Sequence, residues 1–406
     1  MKKLLLILLC TPLISLAQQT YVPDANFEAY LESNGMGNGI ANDDYVTTSN
    51  INTLTTIDLS SKNISDLTGI SDFSALLYLY CQDNQLSSIN ISNNTSLTYL
   101  ECSSNQLTTL DVTSNVNLTN LKCSYNNLST LDVTFNPLLI FLFAGNNQIS
   151  TINISNNLDL VNLSISSNLF SSIDVSNNIN LSVFDCKNNQ VASLDVSNNT
   201  NLIALYCTNN TLSSLDVTAN ILLESLWCDD NQISILNVAN NTSIKDLIVD
   251  NNDLTSIDVS ANIFLELFFC QRNDLTSLDL SGNYFLQKLW CFDNQLTSLD
   301  IRNGNNLNIG VTFWDFDITG NYSLFCVDVD NPSWSIMNWT VSNDCIDSWN
   351  TFSSNCGTST VIDNQLSNRI HLKTVNVLGR DTKPKRNTPL FYIYNDGTVE
   401  KRIIIE

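Results

Sequence analysis

Histidine is nearly absent from this sequence of 406 residues, since the only one is His371, close to the C-terminus. Nucleophilic pairs of the Cys–His or Ser–His type, and metal sites based on histidine, therefore cannot form in the body of the chain. The sequence also has no phosphate-binding glycine loop and no dinucleotide fingerprint. We predict that the protein is not an enzyme, needs no cofactor and has no metal site.

Basic residues are also scarce: 17 lysines and arginines stand against 40 aspartates and glutamates, for a net charge of −23. Eight of the 17 lie from Arg369 onward. Affinity for nucleic acid depends on basic side chains that displace counterions from phosphates, so we expect no nucleic-acid partner. The same contrast in charge separates the tail, residues 369–406, from an acidic body.

Long apolar runs are missing except at the N-terminus, where residues 1–17 read MKKLLLILLCTPLISLA. Two lysines, an apolar run from Leu4 and small residues at Ser15 and Ala17 are typical of a secretory signal peptide cut after Ala17. The run is shorter than the roughly 20 residues that a membrane-spanning helix needs. We therefore predict an exported protein without a membrane span.

The dominant feature of the body is a repeat of 21 residues with the frame L-x-x-L-x-C-x-x-N-x-L. The copies follow one another without a gap, and a looser copy begins at Leu54. The regular copies begin at Leu76, Leu97, Leu118, Leu139, Leu160, Leu181, Leu202, Leu223, Ile244, Leu265 and Leu286. A shorter pattern, L-x-x-L-D-V-S-x-N, follows each copy, so each repeat has two similar halves.

Asparagine ends both halves of the repeat and forms two columns. The first ladder is Asn84, Asn105, Asn126, Asn147, Asn168, Asn189, Asn210, Asn231, Asn252, Asn273 and Asn294. The second ladder is Asn94, Asn115, Asn136, Asn157, Asn178, Asn199, Asn220, Asn241, Asn262 and Asn283. A side-chain amide can pair with buried backbone groups of neighbouring coils, so we expect both ladders in turns.

This frame resembles the leucine-rich repeat, in the nested subclass with 21-residue units, over residues 54–303. The resemblance implies a mainly β fold, a right-handed solenoid with a parallel sheet on its concave side. The second half of each unit is rich in Asn, Ser and Thr, which compete for backbone hydrogen bonds and disfavour a helix. We therefore expect an extended convex side, with room for a second narrow sheet.

Eight cysteines occupy one slot of the repeat: Cys81, Cys102, Cys123, Cys186, Cys207, Cys228, Cys270 and Cys291. A metal site, a disulfide frame and an apolar filler are the three possible readings. The same slot holds Ala144, Ile165 and Val249 in other copies, and these residues share only apolar character and modest size. Cysteine behaves as a small buried hydrophobe, so we expect free and inert thiols.

Both ends of a solenoid need a cover. We assign residues 18–53 to an N-terminal cap, with a short helix that begins near Asp24 and stops at Gly35. Residues 304–356 form a C-terminal cap whose tryptophans fill its core. Of its three cysteines, Cys326, Cys345 and Cys356, we favour a disulfide between Cys326 and Cys356.

The end of the chain has a different character. Residues 357–368 form a linker, and residues 369–406 contain V-L-G-R, P-L-F-Y-I-Y and D-G-T-V-E-K-R-I-I-I-E. This tail resembles the C-terminal sorting domain of the type IX secretion system. The resemblance implies a small β domain read by outer-membrane secretion machinery, and a body that is secreted or held on the outer surface of a Gram-negative bacterium. A plain accessory β domain is the alternative.

A partner would contact the concave face, at the positions on either side of the inward leucine. Aromatic residues recur there in the C-terminal half, with charged residues nearby. The candidate binding residues are Tyr206, Trp227, Phe269, Trp290, Asp229, Asp250 and Lys288. Aromatic residues rimmed by charge are typical of binding surfaces, but neighbouring aromatics also stack across strands merely to stabilise a sheet.

Two functions remain open from the sequence. The first is a non-catalytic binding module that recognises a protein or a glycan with its concave face. The second is a structural adhesin or matrix spacer, in which an acidic, hydrated surface supports self-association that could depend on cations. A saturable one-to-one ligand would favour the first function, and a requirement for divalent cations would favour the second.

Overall fold

A computed structural model describes residues 18–358, 371–375, 380, 389–394 and 399–403. Within these residues the chain winds into a solenoid whose main parallel sheet has 13 strands. The strands are Thr56–Asp58, Tyr78–Tyr80, Tyr99–Glu101, Asn120–Lys122, Phe141–Phe143, Asn162–Ser164, Val183–Asp185, Ala204–Tyr206, Ser225–Trp227, Asp246–Ile248, Leu267–Phe269, Lys288–Trp290 and Phe316–Asp317. This mainly β solenoid confirms the predicted fold class.

Each strand of the repeat is three residues long because only its middle residue points inward. Leu205 is fully buried, whereas its strand neighbour Tyr206 is half-buried on the opposite side. Cys207 follows, again inward and fully buried. Adjacent strands pair one repeat apart, so that Leu205 lies beside Leu226. Equivalent residues of successive copies therefore form straight columns along the solenoid.

The first ladder closes the turn after each strand. The Nδ2 of Asn210 donates to the carbonyl of Cys207 at 3.0 Å and to that of Cys186, one coil earlier, at 3.1 Å. Its Oδ1 accepts from the backbone N–H of Val191 at 2.9 Å. The residue before each ladder member has a left-handed backbone, as at Asn209 with φ +51°. The amide thus holds a turn that costs energy for a residue other than glycine.

The second ladder pairs with the backbone through its nitrogen only. The Nδ2 of Asn220 donates to the carbonyls of Val196 and Asn199 at 2.9 Å each. Its Oδ1 is buried and has no hydrogen-bond partner among the described residues, as in the other members of this column. The expectation that both ladders lie in turns and satisfy backbone groups agrees with these contacts, but the two columns differ in how completely they are bonded.

The convex side is extended, and it gathers into a second sheet only near the C-terminal end. This sheet has four parallel strands within the described residues: Ser277–Asp279, Ser298–Asp300, Cys326–Asp328 and Thr351–Ser353. Further toward the N-terminus, Asp195 and Asp216 form an isolated bridge. The coils therefore continue past residue 303 into the segment that the sequence assigns to the C-terminal cap.

The N-terminal end is covered by strands Gln19–Tyr21 and Tyr45–Thr47 and by helices α1, Ala25–Ser33, and α2, Thr48–Ile51. Asp24 caps α1 and accepts from the backbone N–H groups of Asn26 and Phe27, both at 3.0 Å. Its second oxygen accepts from the backbone N–H of Ser65 at 2.8 Å. One side chain thus begins the helix and attaches it to the first coil.

The C-terminal end is covered by helix α3, Pro332–Asn338, and the fully buried Trp339 that follows it. The Trp339 ring stacks on Phe316 with centroids 4.1 Å apart, and its Nε1 donates to the carbonyl of Gly310 at 3.1 Å. A disulfide joins Cys326 to Cys356, the two cysteines paired from the sequence. The aromatic residues here build a core that closes the solenoid.

The tail contains strands His371–Val375, Pro389–Tyr394 and Val399–Ile403, which form an antiparallel sheet. The predicted signal peptide, residues 359–368 of the predicted linker and the turns between the tail strands lie outside the described residues. Among the helices that are described, none is both long and apolar enough to cross a membrane.

Candidate functional site

The eight ladder cysteines are fully buried and free, which agrees with the expectation of an apolar filler. Burial raises the pKa of these thiols, to about 12 for Cys123 and well above the ordinary value for Cys207. Within the described part of the chain, no group of three or more His, Cys, Asp or Glu side chains is arranged to hold a metal ion. The thiols therefore line the core as protonated, unreactive groups.

The aspartates that recur on the convex side are used by their own turns. The Oδ1 of Asp216 accepts from the backbone N–H of Thr218 at 2.9 Å and from its Oγ1 at 2.6 Å. Asp258 accepts in the same way from the backbone N–H of Ser260. These hydrogen bonds lower the pKa of both aspartates. This column of carboxylates shapes the surface and does not form a convergent site.

The candidate aromatic residues lie on the concave face in two stacked pairs. The rings of Tyr206 and Trp227 meet edge to face with centroids 4.9 Å apart, and those of Phe269 and Trp290 are nearly parallel at 4.2 Å. Ile248 lies between the pairs in the same column. All five side chains are half-buried rather than fully exposed. Cross-strand stacking thus contributes to the sheet, and one side of the patch still faces solvent.

A second concave column follows the strands and contains Asp229, Asp250 and Gln271, which we call the acceptor column. Each lies one repeat from the next, and each points away from the cysteine before it. Asp229 and Asp250 are half-buried, and Gln271 is 4% exposed. Burial raises the pKa of Asp229. Burial, together with the charges of Asp229 and Asp230, raises the pKa of Asp250 to about 7.

The acceptor column has few internal partners. The Oγ1 of Thr208 donates to Asp229 at 2.6 Å. Within the described residues, the carboxylate of Asp250 makes no hydrogen bond or ion pair, and the Oε1 of Gln271 is enclosed without a donor. The indole N–H groups of Trp227 and Trp290 are also enclosed without an acceptor. Unpaired buried polar groups of this kind are uncommon in proteins and often mark a functional surface.

The basic residues around the patch are committed to other partners. Lys187 pairs with Asp185 at 3.9 Å and lies 5.2 Å and 5.3 Å from the ring centroids of Tyr206 and Trp227. Arg272 pairs with Asp293 at 3.9 Å. The third cation, the predicted site residue Lys288, pairs with Asp315 at 3.2 Å. The structure thus leaves the acceptor column with an excess of negative charge.

A cluster in the N-terminal half of the concave face shows the same kinds of side chain in a balanced form. The Nζ of Lys122 lies 5.4 Å and 5.8 Å from the ring centroids of Tyr99 and Phe143. It also lies 3.6 Å from the carboxylate of Glu101, which is 9% exposed. One lysine here contacts two aromatic rings and one carboxylate, so this cluster carries no net charge.

One exposed surface was missed in the sequence. The two positions after each second-ladder asparagine lie in a turn, and in the C-terminal half they are apolar and between 40% and 57% exposed. We call this surface the apolar edge; it consists of Ile221, Leu222, Ile263, Phe264, Tyr284 and Phe285. The signal was available, because turn positions that repeat every 21 residues are expected to be polar, and these are not.

Comparisons with known proteins agree with this architecture. No protein-family model matches the chain, and no curated protein sequence matches it. Among solved structures, the functional domain of InlJ from Listeria monocytogenes is 26% identical, with 96% of this chain and 99% of that chain covered and a TM-score of 0.69. That domain is described as including a cysteine ladder.

Two further structures share the fold at lower identity. An internalin, InlF, from Listeria monocytogenes is 22% identical over 77% of this chain and 96% of its own, with a TM-score of 0.59. A leucine-rich-repeat protein of Leptospira interrogans is 22% identical over 69% and 74%, with a TM-score of 0.56. The coils, their 21-residue period and these similarities together show that the chain has the leucine-rich-repeat solenoid fold.

Proposed function

We propose that the protein is a non-catalytic binding module that recognises a protein partner with the C-terminal half of its concave face. The observation that carries this proposal is the combination of half-buried aromatic rings and unpaired polar atoms between Trp227 and Trp290. Interfaces are enriched in such aromatic residues, and a few of them contribute most of the binding energy. Solved proteins of the same fold suggest the same general role.

Binding partners captured from secreted and surface proteins with the immobilised full chain would provide the ligand, and affinities of variants would then test the site. We expect Trp227→Ala and Trp290→Ala each to weaken binding by about thirtyfold, the effect of losing a hot spot of ~2 kcal/mol. Phe143→Ala, at an equivalent position on the N-terminal half, is the matched control. A glycan array is a second arm, and binding only to glycans would contradict the proposal.

Thermal unfolding separates binding from structural stacking. If the two tryptophan variants lose affinity and keep their melting temperatures, the rings act as contacts for the partner. If they melt earlier and bind as tightly as the wild type, the rings only stabilise the sheet, as the alternative reading of the sequence holds.

The proposal includes export of the chain. The apolar segment at residues 4–9 and the basic, strand-rich tail support a signal peptide and a type IX sorting domain, and therefore a secreted or outer-surface location in a Gram-negative bacterium. Deletion of residues 369–406 should leave the protein inside the outer membrane, as measured by cell fractionation. Unchanged export after this deletion would assign the tail to an accessory β domain.

The alternative role as an acidic matrix spacer has weaker support. Self-association through cations would need carboxylates free to bridge between molecules, whereas the repeated convex aspartates already accept hydrogen bonds in their own turns. The half-buried aromatic patch would also have no purpose in a simple spacer.

A further inference from the structure

We propose that the acceptor column binds an arginine side chain of the protein partner. This inference rests on the proposed function and specifies the chemistry of its central contact. The column offers two carboxylates and one amide oxygen, and all three groups are acceptors. A ligand that fits them must bring several donors and a positive charge.

Spacing along the column favours a guanidinium group. Successive members lie in adjacent coils, about 4.8 Å apart, the distance between hydrogen-bonded strands. A planar guanidinium presents five N–H donors in a fixed fork and can bridge neighbouring acceptors, whereas an ammonium group acts as a point charge. The backbone bond from the N–H of Asn251 to the carbonyl of Gln271, 3.0 Å long, holds the two coils in this register.

Gln271 gives evidence for a ligand that is independent of the acidic residues. Its side chain is 4% exposed, and its Oε1 has no donor among the described residues. Leaving a buried acceptor unpaired costs about 1–3 kcal/mol, which a donor from a ligand would offset. Gln271 follows the fully buried, inward-facing Cys270, so its side chain lies on the same concave side as Asp250.

The protein already uses the same recognition internally. Lys122 and Lys187 each lie between two aromatic rings and beside one carboxylate on the concave face. Next to Asp250, the rings of Phe269 and Trp290 complete the same set of groups, and the nearest cation, Arg272, pairs with Asp293. The partner would supply the missing cation, and cations near aromatic faces are stabilised further.

The test is a titration of the full chain at pH 8 with tetra-arginine amide and with tetra-citrulline amide, a neutral peptide of nearly the same shape. We expect the arginine peptide to bind at least tenfold more tightly. Asp250→Asn should weaken its binding at least tenfold. Asp253→Asn, which removes one charge from an exposed turn in the same coil, is the matched control and should leave the affinity unchanged.

Three results would overturn the inference. The citrulline peptide could bind as tightly as the arginine peptide, the two asparagine variants could weaken binding equally, or Asp250→Asn could leave it unchanged. The second result would assign the attraction to the net charge of −23 alone. None of these results depends on the tryptophan variants, so this inference can fail while the concave face remains the binding surface.

Discussion

The two faces of the same strands differ in how freely their residues vary. On the inner face, leucine, a small apolar residue and asparagine recur in almost every coil, and each is buried. On the concave outer face, equivalent positions hold residues as different as Tyr206, Trp227 and Ile248. The inner columns are fixed because each coil packs on the next, whereas the outer columns are free to specialise. The outer face is therefore where a partner can be specified.

The largest expected effect concerns the inner face and its thiols. We expect iodoacetamide at pH 8 to modify the ladder cysteines, such as Cys207, at least about a thousandfold more slowly in the folded protein than in urea. The reagent needs an exposed thiolate, burial raises the pKa of Cys207 well above its ordinary value, and ~4 kcal/mol of opening free energy gives that factor. Mass spectrometry of peptides measures each site, and rapid modification of any ladder thiol would show an open core.

The next effect contrasts the same substitution on buried and exposed asparagines. Asn168→Asp should lower the free energy of unfolding by ~3 kcal/mol, because a carboxylate would replace the Nδ2 that donates to the carbonyls of Ala144 and Ile165. Asn188→Asp, on an exposed turn, should change it by less than about 0.5 kcal/mol. Urea unfolding measures both, and equal losses would mean that the ladder adds nothing to stability.

The smallest effect concerns the outer face, where a substitution should stabilise. Asp250 has a pKa raised to about 7 in the folded protein, against an ordinary value of 3.8, so the folded state holds its proton more tightly. The stability of the wild type should therefore rise as the pH falls from about 7 toward 4. Asp250→Asn should remove this dependence and add ~1 kcal/mol at pH 8, a figure reduced because the group is partly solvated.

Thermal unfolding from pH 4 to pH 8 measures this difference, with Asp253→Asn as the control. A variant that is less stable than the wild type at pH 8 would show that the Asp250 carboxylate has a structural partner. Added stability together with weaker binding of the arginine peptide would instead be the behaviour of a residue retained for function.

Cap residues show how far local rules reached. The sequence placed the start of α1 at Asp24, and the structure adds that the same carboxylate accepts from Ser65 in the first coil. The first contact follows from short-range capping preferences. The second joins residues 41 positions apart and depends on how the cap lies on the coil.

The repeat by itself determined the fold, because a fixed period of 21 residues places every copy of a residue directly beside the next. Leucine, cysteine and asparagine columns, and the filler role of the thiols, follow from that alignment. Only the tertiary structure decided the state of the outer residues. Whether Asp250 is half-buried and unpaired, or the apolar edge exposed, depends on neighbouring coils and on how large side chains cover one another. Residue type and spacing alone do not specify that coverage.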